Sequence, residues 1–319
     1  FSKDKKKIYI NSYFLQFLNI ILDKPTLEVE HLFFDVAFRD IVDYINMKPR
    51  TGNMFSKRIE RSGKQFNVRV IIFEDESFEL YISDITRSEK TRLLKQEMTN
   101  NIAHELRTPV TSIRGYLETI ISLDIDKDNE RVKNFIDRAY VQTLQLSELI
   151  QDIGMLTKIE EASDRFNIEP VNLKGLLIDL QSDISEKINE KNDQFIIDIE
   201  DDVVINGSKT LLYSIFRNLA ENSITYAGEN IKIVVRCYSQ DKETYFFEFY
   251  DTGRGVEDKH LVRIFERFYR VNEGRTRNGG GSGLGLSIVK NAVLFHKGSI
   301  LAKNRSEGGL CFLITFPKK

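Results

Sequence analysis

The sequence predicts a multidomain α+β chain, and three observations predict it. Over residues 1–86, alternating apolar and polar residues mark short strands beside helical pieces; from residue 87 the apolar period lengthens to that of a long helix; and after residue 162 short strands and helices return together. A chain of 319 residues has room for several cores. Composition agrees with an ordinary globular protein: 41% hydrophobic, 29% charged and a formal net charge of −2. That balance lacks the basic stripe of a nucleic-acid binder, so no nucleic-acid partner is expected. No run reaches the roughly 20 apolar residues of a bilayer span. The two cysteines, Cys237 and Cys311, match no zinc or disulfide spacing and read as small buried hydrophobes. The chain begins with Phe1 rather than Met, which suggests a piece of a longer protein.

In the first region, helical pieces "YFLQFLNIIL" and "VAFRDIVDYI" precede the alternating runs "FSKRIERSG", "KQFNVRVIIFED" and "SFELYISDIT". Turns near Ser62-Gly63 and Glu74-Asp75 predict an antiparallel sheet. Thr86 and Glu89 fit a capping box, so a long helix is expected to start at Thr86.

From there Leu94, Met98, Ile102, Leu106, Pro109, Ile113, Leu117 and Ile120 form one stripe at steps of three and four. Pro109 interrupts a backbone bond and should bend the helix. Asp124 to Asn129 reads as a turn, and a second stripe follows through Val132, Phe135, Ala139, Leu146, Leu149, Ile153 and Leu156. Two such helices make an antiparallel hairpin about 45 Å long at 1.5 Å rise per residue. A lone hairpin exposes much of its seam, so pairing into a homodimeric four-helix bundle is expected.

His104, one of four histidines, lies about 160° around the helix from the stripe and should face solvent. Glu105 adjoins it, and Thr108 shares its face one turn on. On spacing alone this is equally what any surface helix carries. In the last region, Asn218 and Asn222 share a helix face; neutral amide oxygens can ligate Mg²⁺ beside a triphosphate, or simply be polar helix residues. Asp251 ends an apolar strand and is followed by Gly253 and Gly255, which suits close approach of a planar ligand or a plain turn. The glycines Gly281, Gly283 and Gly285 lead into a helix N-terminus, whose free N–H groups suit phosphate, though a flexible linker fits them too. Glycine enrichment from Gly274 to Gly285 also predicts a mobile lid. Phe265 and Phe268 are equally plain core; Arg270, Arg275 and Arg277 are cations that by default are solvated. His296 in "FHKGSI" reads as shaping a turn.

Taken in order, these motifs resemble those of sensor histidine kinases. "AHELRTP" resembles the phospho-acceptor box, "NLAENSITY" the N box, "DTGRGV" the first glycine box, "IFERFYR" the F box and "GGSGLGLSIVK" the second glycine box. The resemblance implies a PAS-like sensor domain over 1–86, a signalling helix plus dimerisation and phosphotransfer hairpin over 87–162, and an α/β sandwich ATP-binding domain of the GHKL (Bergerat) type over 163–319. It implies His104 as phospho-acceptor with Glu105 fixing its tautomer and Thr108 orienting water for dephosphorylation of the partner. ATP-binding positions carried over are Asn218, Asn222, Tyr226, Asp251, Gly253, Gly255, Phe265, Phe268, Arg270, Gly281, Gly283, Leu284, Gly285 and Leu286, with Asn222 the Mg²⁺ ligand. The sequence departs from the family in carrying Thr225, not Lys, before Tyr226. Implied partners are a second copy and a response regulator receiver domain. The implied location is the cytoplasmic portion of an inner-membrane sensor, with any membrane-anchoring segment lying before residue 1. An ATPase of the gyrase, Hsp90 and MutL superfamily shares the nucleotide boxes and is the rival class; a nucleotide-binding scaffold without turnover is the non-enzymatic one.

Overall fold

A computed structural model describes residues 1–22, 26–47, 54–123, 129–161, 165–271 and 281–318. The chain divides into two compact units, Phe1–Asn100 and Asn101–Lys319.

In the first unit, α1 (Ser12–Ile21), two short 3₁₀ turns (Val29–Phe34 and Val36–Phe38) and α2 (Arg39–Asn46) precede a three-stranded antiparallel meander of β1 (Met54–Arg61), β2 (Lys64–Ile72) and β3 (Phe78–Asp84). Period-2 burial on β2 turns Phe66, Val68, Val70 and Ile72 inward against Leu18, Ile21, Phe38 and Ile41. The predicted turn at Ser62-Gly63 is a two-residue hairpin: both residues have positive φ, 52° and 71°, and Arg61 pairs with Lys64. Helix α3 (Thr86–Ser122) starts where expected, but not through a capping box. Asp84 accepts the Thr86 N–H at 2.9 Å, and the Thr86 hydroxyl accepts from the Gln65 N–H at 2.9 Å. Glu89 is instead drawn away by two guanidinium groups, Arg58 of β1 at 2.9 Å and Arg92 at 2.8 Å, and is buried between them. Two full positive charges outbid one backbone amide for the carboxylate.

The predicted stripe of α3 divides. Ile102, Leu106, Pro109, Ile113 and Ile120 are buried or half-buried, whereas Leu94 and Leu117 are exposed. On α4 (Asn129–Glu161), Val132, Ala139, Leu149 and Leu156 are buried, and Tyr116 of α3 meets Phe135 with ring centroids 5.9 Å apart. Val110, Leu117 and Ile121 on α3 and Ile136, Tyr140 and Leu144 on α4 remain outside. The turn expected at Asp124–Asn129 falls outside the described residues save for its last position.

The remainder is a two-layer sandwich. Its sheet has the order β5 (Gln194–Asp198), β7 (Lys232–Gln240), β8 (Thr244–Asp251), β10 (Leu310–Pro317), β9 (Ser299–Asn304), with β5 parallel to β7 and the other pairs antiparallel. β4 (Glu169–Asn172) pairs separately with β6 (Val204–Gly207). Alternate residues Ile233, Val235, Phe247, Phe249, Phe312, Ile314 and Phe316 pack on helices α5 (Leu173–Asp183), α7 (Lys209–Tyr226) and α9 (Gly285–Phe295). The apolar-rich run "LKGLLIDLQSDISEKINE" is divided at Ile184 into α5 and α6 (Ser185–Glu190). The sequences of β4, β6 and β9 carry no clear apolar–polar alternation. α8 (Asp258–Leu261) completes the elements.

His296 does more than shape a turn. Its buried ring accepts the Ser208 N–H at Nε2 (3.0 Å) and donates from Nδ1 to the Ala292 carbonyl (2.7 Å), tying the end of α9 to the start of α7. Both bonds require the neutral Nδ1–H tautomer. Burial pushes its pKa below the ordinary value. The unfolded ring titrates near about 6.5, so stability from the neutral native ring is complete above that pH and is lost as pH falls toward the lower native value. We expect the thermal midpoint of wild type to drop between pH 7.5 and 5.5 more than that of His296→Leu. At pH 7.5 the variant should be less stable by about 1–3 kcal/mol, because the Ser208 N–H is left buried without an acceptor. Parallel pH slopes in differential scanning calorimetry would refute this.

Candidate functional site

α7, the end of β8, the start of β10 and the β9–β10 turn converge on Asp251, while the start of α9 meets α7 at Asn218. Its side chain, 4% exposed, caps its own turn: Oδ1 accepts the Gly253 N–H at 2.9 Å and the Leu310 N–H at 3.3 Å, and Oδ2 accepts the Ser223 hydroxyl at 3.2 Å. Burial raises its pKa, and these three donors together with Arg305 oppose that rise. Backbones close in around it because glycine permits them to. A Cβ on Gly253 would lie 2.4 Å from Ala227, and one on Gly309 (φ 98°) would lie 1.9 Å from the Asp251 carbonyl oxygen. The glycine at 253 therefore serves the approach to the end of α7, a role beyond the expected ligand contact. Gly255, at φ 68°, abuts Asn304, whose amide accepts the Val256 N–H at 3.1 Å and donates to the Val256 carbonyl at 2.6 Å. Asn304 thus fixes the course of the chain after the first glycine box.

Asn218 and Asn222 lie half-buried one turn apart on α7. The Asn218 amide donates to the Ser214 carbonyl at 2.8 Å, which leaves its oxygen toward the start of α9: a Cβ on Gly285 would be 2.5 Å from that oxygen. Tyr226 accepts the Gly281 N–H at 3.0 Å, pinning the second glycine box. Phe268, itself at φ 62°, donates its N–H to the Gly283 carbonyl at 2.9 Å, and Gly283 leaves only 2.9 Å between its would-be Cβ and the Phe268 backbone. Phe265 stands edge-on to Phe312 in the core, and Leu286 packs on the same core. Leu284 is fully buried against Leu149, Leu156 and Ile288, and its N–H is held by the Ser282 hydroxyl at 3.2 Å, so its part is packing. Arg270 is half-buried; Gly274, Arg275, Arg277 and Asn278 lie outside the described residues.

The second glycine box also meets the hairpin. Ser282 donates to Asp152 of α4 at 2.9 Å, Arg267 pairs with Glu160, and Leu106 and Phe268 join the Leu149–Leu156–Leu284–Ile288 cluster. Burial raises the Asp152 pKa. On α3, His104 is 74% exposed and its Nδ1 lies 3.5 Å from Glu105 Oε1, adjacent but longer than an ordinary hydrogen bond. The Thr108 hydroxyl donates to the His104 carbonyl at 3.3 Å.

Sequence reasoning missed Ser223, Leu310, Gly309, Asn304, Asp152 and Ser282. Only the Gly308-Gly309 pair carried a signal, a turn requiring positive φ. The others are joined across distant parts of the chain.

Among the described residues no group of three or more His, Cys, Asp and Glu is arranged to hold a metal ion by itself. A divalent cation here would need oxygens brought by a phosphate ligand alongside an asparagine amide.

Fold and site define a nucleotide-binding ATPase domain of the GHKL type joined to a helical hairpin that displays a histidine. Two family models agree: the His Kinase A (phospho-acceptor) domain matches residues 94–162, and the histidine kinase-, DNA gyrase B- and HSP90-like ATPase matches residues 207–319. The phosphate regulon sensor protein PhoR of Pseudomonas aeruginosa is 32% identical over 238 residues, 75% of this chain and 53% of that protein. The sensor histidine kinase WalK of Bacillus subtilis is 28% identical over 328 aligned positions, covering 98% of this chain and 52% of that protein. The chain thus spans about half the length of these relatives. Among solved structures, histidine kinase ThkA in complex with response regulator TrrA shares the fold, with a TM-score of 0.57 and 23% identity over 87% of this chain and 81% of that one. The chain belongs to the sensor histidine kinases of two-component systems.

Gly309→Ala is expected to destabilise the ATPase domain by at least about 1–3 kcal/mol, since its φ and the Asp251 carbonyl both exclude a side chain. Urea unfolding with an unchanged midpoint would contradict that assignment.

Proposed function

We propose that this chain is the kinase core of a sensor: Mg-ATP phosphorylates His104, and the phosphoryl group passes to an aspartate of a response regulator receiver domain. The observation that carries the reading is the presence, in one unit, of an exposed imidazole on α3 and a buried carboxylate ringed by donors from α7, β10 and its own turn, with the N-terminus of α9 set against Asn218 of the same α7.

Glu105 flanks Nδ1, so the tautomer it favours places the proton there and leaves the Nε2 lone pair outward. In the reaction the Nε2–P bond forms as the bond from the γ-phosphorus to the ADP oxygen breaks, and the Nδ1 proton moves toward Glu105. Asp251 accepts the exocyclic amine of adenine, where guanine would present a carbonyl. Asn218 and Asn222, with Gly281, Gly283 and Gly285 at the start of α9, serve the phosphates, and the Asn222 amide oxygen is the proposed protein ligand of Mg²⁺, which neutralises phosphate charge. Phe265 and Phe268 anchor the flank of the nucleotide site, and Arg270 is its proposed phosphate-facing cation from the F box. Tyr226 holds Gly281 at the place where the family's usual lysine is replaced by Thr225.

Thr108, once its hydroxyl leaves the His104 carbonyl, orients water for hydrolysis of the regulator's phospho-aspartate. The organisation proposed is a PAS-like sensor over 1–86, a signalling helix and phosphotransfer hairpin over 87–162, and the catalytic domain over 163–319. A second copy covers the exposed Val110, Leu117, Ile121, Ile136, Tyr140 and Leu144, making the dimeric four-helix bundle. We place the chain in the cytoplasmic portion of an inner-membrane sensor; no described helix is long and apolar enough to cross a membrane.

With γ-labelled ATP, wild type should acquire acid-labile, base-stable label and His104→Gln none; absence of label on wild type would favour the rival ATPase. Thr108→Ala should autophosphorylate within about twofold of wild type yet lose most phosphatase activity toward a phosphorylated receiver domain. Equal loss of both activities would remove Thr108 from this role.

A further inference from the structure

We infer that Ser223 is a positioning residue for nucleotide selection: its hydroxyl keeps one lone pair of Asp251 aimed at the ligand's exocyclic amine, and so sets the preference for adenine over guanine. The inference rests on the reading of Asp251 as the base-recognising group, and extends it to a residue outside the glycine boxes.

The argument is one of counting lone pairs. A carboxylate oxygen offers two acceptor directions. Oδ1 of Asp251 uses both, on the N–H groups of Gly253 and Leu310. Oδ2 uses one, on Ser223, and keeps one. The side chains of Asp251 and Ser223 are both buried, each residue only 4% exposed, so neither can swing into water without opening the site. Ser223 is fixed by α7 next to Asn222, which makes its hydroxyl a rigid stop for the rotation of the carboxylate. An ionised Oδ2 accepts from an amine and repels a carbonyl. A protonated Oδ2 does the reverse, since its O–H would donate to the carbonyl of guanine. Selectivity therefore depends on Asp251 staying charged.

Burial opposes that charge. From α7 Ser223 counters burial, from the strand-end loop the Gly253 N–H, from β10 the Leu310 N–H, and from the β9–β10 turn Arg305, which is itself paired with Glu307 at 3.0 Å and lies over the Tyr250 ring. Two of these donors are backbone and act on Oδ1 alone. Ser223 is the side-chain donor on the oxygen that meets the ligand.

The test is calorimetric binding of Mg-ADP and Mg-GDP to the full 319-residue chain between pH 6 and 8.5. Wild type, Ser223→Ala, Ser223→Cys and Asp251→Asn are compared. Ser223→Ala should bind Mg-ADP about tenfold more weakly at pH 7, the usual effect of losing a hydrogen bond to a charged group. That deficit should shrink as pH rises and grow as pH falls, while the ADP-to-GDP affinity ratio drops at neutral pH. Ser223→Cys keeps the volume with a weaker donor and should fall between the two; it decides the question by the same criteria if the alanine variant does not melt cooperatively. A merely structural serine would lower affinity equally at every pH and for both nucleotides, and that result overturns the inference. If Ser223→Ala matches wild type while Asp251→Asn loses binding, the inference falls and the reading of the site stands. If wild type does not distinguish ADP from GDP and Asp251→Asn changes nothing, the site reading itself falls.

Discussion

A carboxylate buried at the end of a strand is the constraint around which the catalytic domain is arranged. Asp251 leaves water at a large desolvation cost, and the fold offsets that cost with donors from parts of the chain far from one another: Ser223 on α7, Gly253 in the following turn and Leu310 at the start of β10. For the two amides to reach one oxygen, backbones must come closer than side chains allow. Gly253 and Gly309 exist at those positions for that reason. The sheet order supplies the geometry, since β10 lies directly beside β8 and carries the Leu310 amide to the Asp251 carboxylate.

The same economy governs the second glycine box. Its glycines are usually thought of as room for phosphate, yet here each also accommodates a protein neighbour: Gly283 admits the Phe268 backbone and Gly285 the Asn218 amide. Leu284 between them is the hydrophobic key that seats the box on α4, and Ser282 adds a bond to Asp152. The second glycine box therefore packs on the hairpin through Leu284 and Ser282. Leu106, two positions from His104, touches this cluster, so the phospho-acceptor helix is part of the same packing.

Much of this was legible without coordinates. Period-2 runs located β1, β2 and β3, and the stripe from Ile102 to Ile120 showed which way His104 must face, because helical geometry alone sets the angle between positions two apart. The exposed row at Val110, Leu117 and Ile121 was less legible: an apolar residue facing a second copy has the same sequence signature as one facing the sister helix, which is why Leu94 and Leu117 were assigned to one stripe. Glu89 shows a different failure. Its spacing from Thr86 satisfies a local capping rule, but Arg58, from another element, offers a full charge where the rule offers an amide. The short edge pair β4–β6 had too few residues for any periodicity to register.

The sequence by itself determined the local and the periodic: most helices and strands, the solvent-facing histidine and the tight turn at Ser62-Gly63, because these follow from rotations per residue and from hard-sphere exclusion within a few positions. The tertiary structure alone decided which distant groups share a proton or a lone pair. Ser223 against Asp251, Asp152 against Ser282 and His296 against Ser208 are meetings across 28, 130 and 88 positions. Nothing in the chain's order favours one such meeting over another until burial removes water as the competing partner.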